Sequence, residues 1–351
     1  LRRITRYRYN GVPGDNGARA YYISVMDGDS PDARPLETFS PAFLPTKTPL
    51  DGYRCRHGIG YTVLETAKAG INATLTMFVP LHAAAEVNLL DVENTTDGPL
   101  TVDVTGCVEW CLWNAVDDST NFQRNLSTGE VEVERMADTT LLYHKTEFKE
   151  RRNHYAFWSV NAPVIGFDTD RDTFLGRFNG WDTPQAIAEG RMHDSVAHGW
   201  SPIAANRVRL TLEPGESRSL VFTLGYIEVP ADAKWEAPED PAKVGIINKT
   251  PAHELCARFA TSQKAEAALA ELKDYWTNLL STYQVKSGDE RLDRMVNTWH
   301  QYQCMVTFNM SRSASYWESG TGRGMGFRDS NQDLLGFVHL VPERARQRII
   351  D

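Results

Sequence analysis

Val208-Arg-Leu-Thr-Leu-Glu-Pro-Gly-Glu-Ser-Arg-Ser-Leu-Val-Phe-Thr-Leu-Gly-Tyr-Ile-Glu228 is the stretch that decides the fold class. Apolar residues alternate through Val208–Leu212 and again through Ser219–Glu228. Between them, Glu213-Pro-Gly-Glu216 supplies the central dihedrals of a tight turn. The expectation is two antiparallel strands joined as a hairpin. The same alternation between turn signals recurs at Ala73–Pro80, Glu86–Asn94, Leu100–Trp113 and Tyr155–Val160. From the start to about residue 230 the chain therefore reads as an antiparallel β-sandwich, and Leu1-Arg-Arg-Ile-Thr-Arg-Tyr-Arg-Tyr9 reads as a strand already under way.

Beyond it the composition changes. Val229-Pro-Ala-Asp-Ala233 through Asp240-Pro241 is rich in proline and charge, as a boundary is. Pro251–Tyr283 then carries apolar residues at three-to-four spacing, which predicts one helix. A second helix is predicted over Asp289–Met310, with Leu292, Met295, Val296, Trp299, Tyr302 and Val306 on one stripe that needs a partner. Further helical segments follow at Asn331–Leu340 and from Pro342, where proline suits a first turn. The fold class is β then α.

At 351 residues the chain is long enough for two or three domains. Its 37 basic and 46 acidic residues give a net charge of −9 with no compensating basic block, which argues against a nucleic acid or an anionic membrane as partner. No run approaches the ~18 apolar residues of a membrane helix. The five cysteines, Cys55, Cys107, Cys111, Cys256 and Cys304, lack paired spacing, so neither a disulfide framework nor zinc is indicated and a reduced, cytoplasmic setting is expected. His57, His144 and His154 lack ligand spacing, so no metal is expected. The terminal helix ends at Asp351 without a capping glycine, and both ends look cut.

The densest chemistry lies in Ser311–Asp333. Arg312, Arg323 and Arg328 share this stretch with Glu318, Asp329 and Asp333, and glycine stands at 320, 322, 324 and 326. Glycine lets backbone approach a ligand, guanidinium grips oxyanions in pairs, and Tyr316, Trp317 and Phe327 offer flat faces to a pyranose ring. The combination suits a sugar or a phosphate. Trp110 and Trp113 alternate as strand residues do and are expected to pack.

Several motifs then carry a resemblance. They are Arg6-Tyr-Arg-Tyr-Asn10, Cys111-Leu-Trp-Asn-Ala115, Asn121-Phe-Gln-Arg-Asn-Leu-Ser127, His144-Lys-Thr-Glu-Phe148, Phe167-Asp-Thr-Asp-Arg-Asp-Thr-Phe174, Leu279–Tyr283, Asn309-Met-Ser-Arg-Ser-Ala-Ser315 and Gly322-Arg-Gly-Met-Gly-Phe-Arg-Asp-Ser-Asn-Gln-Asp333. With these the chain resembles the cellobiose phosphorylases, inverting disaccharide phosphorylases of glycoside hydrolase family 94. The resemblance implies an N-terminal β-sandwich (supersandwich) over 1–235, a helical linker over 236–285 and, over 286–351, the start of an (α/α)6 barrel. It implies reversible phosphorolysis of cellobiose to α-glucose 1-phosphate and glucose, with phosphate as substrate and no cofactor, in a homodimer.

By the same resemblance Arg312 binds phosphate, Arg323 and Asp329 bind the donor sugar, and Arg124 touches the acceptor sugar from its own or a neighbouring subunit. Arg328 and Asp333 support them. The family's general-acid aspartate, in a Trp-Asn-Asp context, has no match, so no catalytic residue is expected within this chain and the chain alone is expected to be inactive. Two other readings stand beside this one: a non-catalytic carbohydrate-binding sandwich, and a related domain of a β-glucan synthase or a chitobiose phosphorylase.

Overall fold

The computed structural model describes residues 4–6, 19–111, 130–145, 153–199, 201–236, 245–309 and 326–350. In chain order the strands are β1 (Arg19–Met26), β2 (Pro35–Phe39), β3 (Gly52–Gly58), β4 (Tyr61–Lys68), β5 (Ile71–Phe78), β6 (Ala85–Asn94), β7 (Leu100–Glu109), β8 (Glu130–Arg135), β9 (Thr140–Lys145), β10 (His154–Val160), β11 (Gly166–Asp170), β12 (Pro202–Leu212) and β13 (Ser217–Glu228). They form two antiparallel sheets, a smaller one in the order β11-β12-β7-β1-β2 and a larger one in the order β3-β4-β5-β6-β13-β10-β9-β8.

The expected hairpin at Val208–Glu228 is not one. β12 pairs with β7, with Leu212 opposite Leu100, and β13 pairs with β6 and β10, so consecutive strands lie in different sheets. Gly215 takes φ 73° after Pro214, and its neighbour Glu216 donates to Glu213 O at 2.9 Å. A Pro-Gly turn of this hand splays its flanking strands, whereas the primed turns of short hairpins match their twist. The corner is closed by buried Asn94 instead. Its carbonyl accepts from Gly215 N (2.9 Å), its amide N–H donates to Glu216 O (3.0 Å), and its Nδ2 donates to Leu212 O (2.9 Å) and Gly98 O (2.8 Å).

Between the sheets, Ile23 and Val25 of β1 and Val102, Val104 and Val108 of β7 meet Leu90 and Val92 of β6 and Leu220, Phe222 and Leu224 of β13. Trp158 stacks on Phe222 with ring centres 5.5 Å apart and donates Nε1–H to Gly106 O of the other sheet at 3.1 Å. Any side chain at Gly106 would collide with Phe222, so close approach of the layers demands glycine there. Short helices Arg171–Leu175 and Gln185–Ala188 cover the outer face of the smaller sheet, burying Phe174 and Leu175 with Tyr22, Cys107 and Ile203. On the larger sheet the segment running into helix Thr250–Ala257 packs on β10, where the Tyr155 hydroxyl donates to Asn248 O at 2.7 Å and Ser159 Oγ lies 3.5 Å from Cys256 Sγ, so β9 and β10 are buried along their whole length.

The chain divides into two compact units, Leu1–Leu269 and Ala270–Asp351. The single helix expected over Pro251–Tyr283 is two, Thr250–Ala257 and Ser262–Leu280. The break falls where Thr261 Oγ1 accepts from Lys264 N (3.3 Å), a cap that starts a new helix more readily than it continues an old one. In the second unit, Asp289 caps Glu290–Arg294 by accepting from Arg291 N at 2.9 Å. The chain then widens into a π-helical segment, Met295–His300, before Gln301–Asn309. That widened turn rotates the faces. The buried side is Gln301, Met305 and Phe308, while Leu292, Met295 and Trp299 of the predicted stripe are exposed. No helix among the described residues is long and apolar enough to cross a membrane.

Candidate functional site

The helix Phe327–Leu334 begins four residues before the predicted segment, behind the N-cap Gly326, whose φ of −67° and ψ of 132° are those of an extended residue entering a helix. Among the described residues no side chain caps it, and the first helical bond is Ser330 N to Gly326 O at 3.0 Å. Asp329 stands in the first turn. Its carboxylate folds back over Gly326 so closely that a Cβ there would lie 2.8 Å from Oδ2, which makes glycine the residue that admits the carboxylate. Negative charge is favoured at this end of a helix.

Ser330 and Leu334 are buried on the inner face, and Arg348, in the helix Pro342–Ile350, donates from Nε and Nη2 to Ser330 Oγ at 3.0 and 2.9 Å. This anchor fixes the rotation of the helix and leaves Asp329 and Asp333, one turn apart, half-buried at the margin of that face. Asp333 also lies near Cys304, whose thiol is pushed up by burial first and by the Asp333 charge second. Arg328 points away: its side chain is 84% exposed and reaches Asp329 only at 3.9 Å. Arg124, Arg312 and Arg323 lie outside the described residues, as do Trp113 and most of the glycine-rich loop.

The helical pattern places Gln301 with Arg291 and Arg294 on the face opposite the apolar stripe, and the structure corrects that. It is buried, and its Nε2 donates to the carbonyls of Tyr283 (3.2 Å), Val296 (3.2 Å) and Asn297 (3.1 Å), while its Oε1 lies 3.3 Å from His339 Nε2. It supplies the donors that carbonyls of the π-helical segment lack, a role that helical periodicity does not signal.

Two of the quoted motifs are structural in the sandwich. In Phe167–Phe174, fully buried Asp168 accepts from Ser195 Oγ (2.6 Å) and from the amides of Ser195 (3.1 Å) and His193 (3.2 Å). Burial raises its pKa against the pull of those bonds. Asp170 caps the following helix by accepting from Thr173 N at 2.7 Å. In His144–Phe148, the His144 ring stacks on Trp110 at 5.7 Å, and burial, then the charges of His154 and Lys234, depress its pKa to about 3.

Comparison with known proteins adds a second line. Residues 1–262 match the family described as "Glycosyl hydrolase 94, supersandwich domain", and residues 275–351 match "Glycosyl hydrolase 94 superfamily, catalytic domain". An N,N'-diacetylchitobiose phosphorylase of Vibrio furnissii is 29% identical over 99% of this chain and 40% of its own length. A solabiose phosphorylase of Paenibacillus borealis is 25% identical over 95% of this chain and 38% of its own. The chain thus spans about 40% of the length of these curated relatives. Among solved structures, a bacterial glucoamylase complexed with acarbose matches 84% of the chain and 35% of its own at a TM-score of 0.44 and 10% identity.

Proposed function

The chain belongs to the glycosyl hydrolase 94 family, and from that membership we propose that it forms part of an inverting disaccharide phosphorylase. The observation that carries the reading is the succession of a supersandwich match and a catalytic-domain match, with Asp329 in the first turn of an anchored helix in the second. In the reaction, phosphate attacks the anomeric carbon of a disaccharide in line with the departing sugar. A bound anion supplies the nucleophile, so one carboxylate of an inverting hydrolase's pair is dispensable. Asp329 accepts hydrogen bonds from donor-sugar hydroxyls, Arg323 donates to the same sugar and Arg312 grips phosphate. Arg328 and Asp333 stand beside Asp329 as supporting residues, on a helix anchored by Arg348 at Ser330. The acid that protonates the leaving oxygen is an aspartate outside this chain, and the helices after residue 286 begin an (α/α)6 barrel. The enzyme is a homodimer in which Arg124 reaches an acceptor site.

Two substrates fit this chemistry, cellobiose and N,N'-diacetylchitobiose. The Vibrio relative favours the second. The test is phosphorolysis by the protein that carries this chain, offered each disaccharide with phosphate and assayed for the sugar 1-phosphate. Higher kcat/KM with N,N'-diacetylchitobiose is the expected result, and higher kcat/KM with cellobiose reverses the choice. Release of free sugar only, with no sugar 1-phosphate from either, refutes the phosphorylase reading.

A further inference from the structure

At one end of the sandwich the strand termini enclose a cleft of about 580 Å³, within the ~300–1,000 Å³ of small-molecule sites. The larger sheet brings its residues together by register. His154, first residue of β10, faces Glu228 at the end of β13, and Leu224 faces Glu86 near the start of β6. Arg19, first residue of β1 in the smaller sheet, also lines the cleft and forms an ion pair with Glu86. The rings of His154 and Tyr226 lie 5.5 Å apart at 34° and form an aromatic wall, and the Tyr226 hydroxyl donates to Glu228 Oε2 at 3.0 Å. None of these residues belongs to the Ser311–Asp333 chemistry.

A second, independent observation marks the same end as polar inside. Thr5, which lines the cleft, bridges to Trp110, and Trp110 stacks on His144, which feels the charge of His154. Trp110 and His144 are 1% and 2% exposed, yet the indole N–H and both imidazole nitrogens have no hydrogen-bond partner among the described residues. Neither residue lines the cleft, so they leave polar groups near this end of the sandwich without contacting an occupant.

The charges say which occupant. Among the described lining residues, Arg19 is already engaged by Glu86 and Glu228 adds a second carboxylate, so a phosphate would meet net negative charge from them. Carboxylates that accept from hydroxyls, a guanidinium that donates to them and aromatic rings beside apolar Val79 and Leu224 match a neutral sugar. We infer that this cleft is a binding site for a neutral mono- or disaccharide, built from residues other than those assigned to phosphorolysis and independent of that assignment.

The test labels histidine with ¹³C, assigns the His154 ring by His154→Gln, and titrates the protein with glucose, N-acetylglucosamine, cellobiose and inorganic phosphate. A saturable shift of His154 with a sugar and none with phosphate is expected. Tyr226→Phe and Glu228→Gln each remove one polar contact without emptying the core, and each should weaken sugar binding about tenfold. The other histidine signals and the rate of disaccharide phosphorolysis should stay unchanged. No saturable shift with any of the three sugars, an equal shift with phosphate, or binding within twofold of wild type in both variants overturns the proposal. Turnover falling in step with binding also overturns it, because the sugar is then in the reaction site. A protein without phosphorylase activity that still shows the His154 shift separates the two readings.

Discussion

Asp329→Asn distinguishes a carboxylate that binds sugar from one that merely faces a helix dipole. The substitution keeps the shape that fits over Gly326 and removes the charge. Loss of charge in the first turn of the helix costs about 0.3–1 kcal/mol of stability. The ion pair with Arg328 adds little, because at 3.9 Å from an exposed partner it is screened by solvent. Stability should therefore fall by about 1 kcal/mol or less. In the proposed reaction the carboxylate makes charge-assisted bonds to the donor sugar, worth roughly 1.5–3 kcal/mol against roughly 0.5–1.5 for a neutral amide. The difference of about 1–2 kcal/mol corresponds to a drop of about 5–30-fold in kcat/KM. It should fall mainly on kcat, since contacts to the glucosyl hydroxyls strengthen as the ring flattens in the transition state. The assay pairs initial rates of sugar 1-phosphate formation with thermal unfolding of the same preparations. Turnover within twofold of wild type, or a loss that tracks the unfolded fraction, refutes the sugar-binding role.

Arg312→Ala should raise the KM for phosphate by at least about tenfold and move the disaccharide KM much less, since a charge-assisted contact of roughly 1.5–3 kcal/mol is removed; unchanged phosphate dependence in a folded variant makes Arg312 structural. Asn94→Ala should cost about 2–4 kcal/mol in urea unfolding, because it strips donors from the buried carbonyl of Leu212 and from Gly98, whereas Asn72→Ala, which removes only an exposed contact to Glu93, should stay within about 0.5 kcal/mol. His144 is held neutral when folded, with its pKa at about 3, but takes up a proton near the ordinary histidine pKa of about 6.5 when unfolded. Its stabilisation is complete above about pH 6.5 and declines as pH falls toward 3, by up to about 1.4 kcal/mol per unit. His144→Phe should flatten the stability profile between pH 6.5 and 5, and an unaltered slope would show that the protonation lies elsewhere.

Six of the thirteen strands among the described residues, β5, β6, β7, β10, β12 and β13, were legible in the sequence, because alternation is a local signal and the side-chain period of a strand is two. Partner choice was not. Val208–Leu212 and Ser219–Glu228 alternate as a hairpin does, and only the type of turn and the distant Asn94 send them into different sheets. The predicted stripe Leu292-Met295-Trp299 failed for a related reason: one widened turn at Met295–His300 changes which residues share a face, and periodicity assumes a constant pitch. Of the site, Asp329 and Asp333 stood out as carboxylates in a glycine-rich context, but their roles came from family resemblance. Gln301 and the cleft at the sandwich end had no motif to announce them. Arg19, Glu86, His154, Tyr226 and Glu228 are scattered over two hundred positions and meet only because sheet register aligns the ends of four strands.

Net charge adds a final constraint on the proposed chemistry. A chain at −9 repels phosphate at long range, yet that field is screened beyond about 8–10 Å at physiological ionic strength, so capture depends on local donors. Arg312, Arg323 and Arg328 stand within seventeen positions of one another, against Glu318, Asp329 and Asp333 in the same stretch. Local charge is thus near balance, and attraction alone cannot hold the anion. What remains is geometry: a planar guanidinium that binds two oxygens at once. A lysine in place of Arg312 keeps the charge and loses the fork, so Arg312→Lys should recover only part of the phosphate affinity that Arg312→Ala removes.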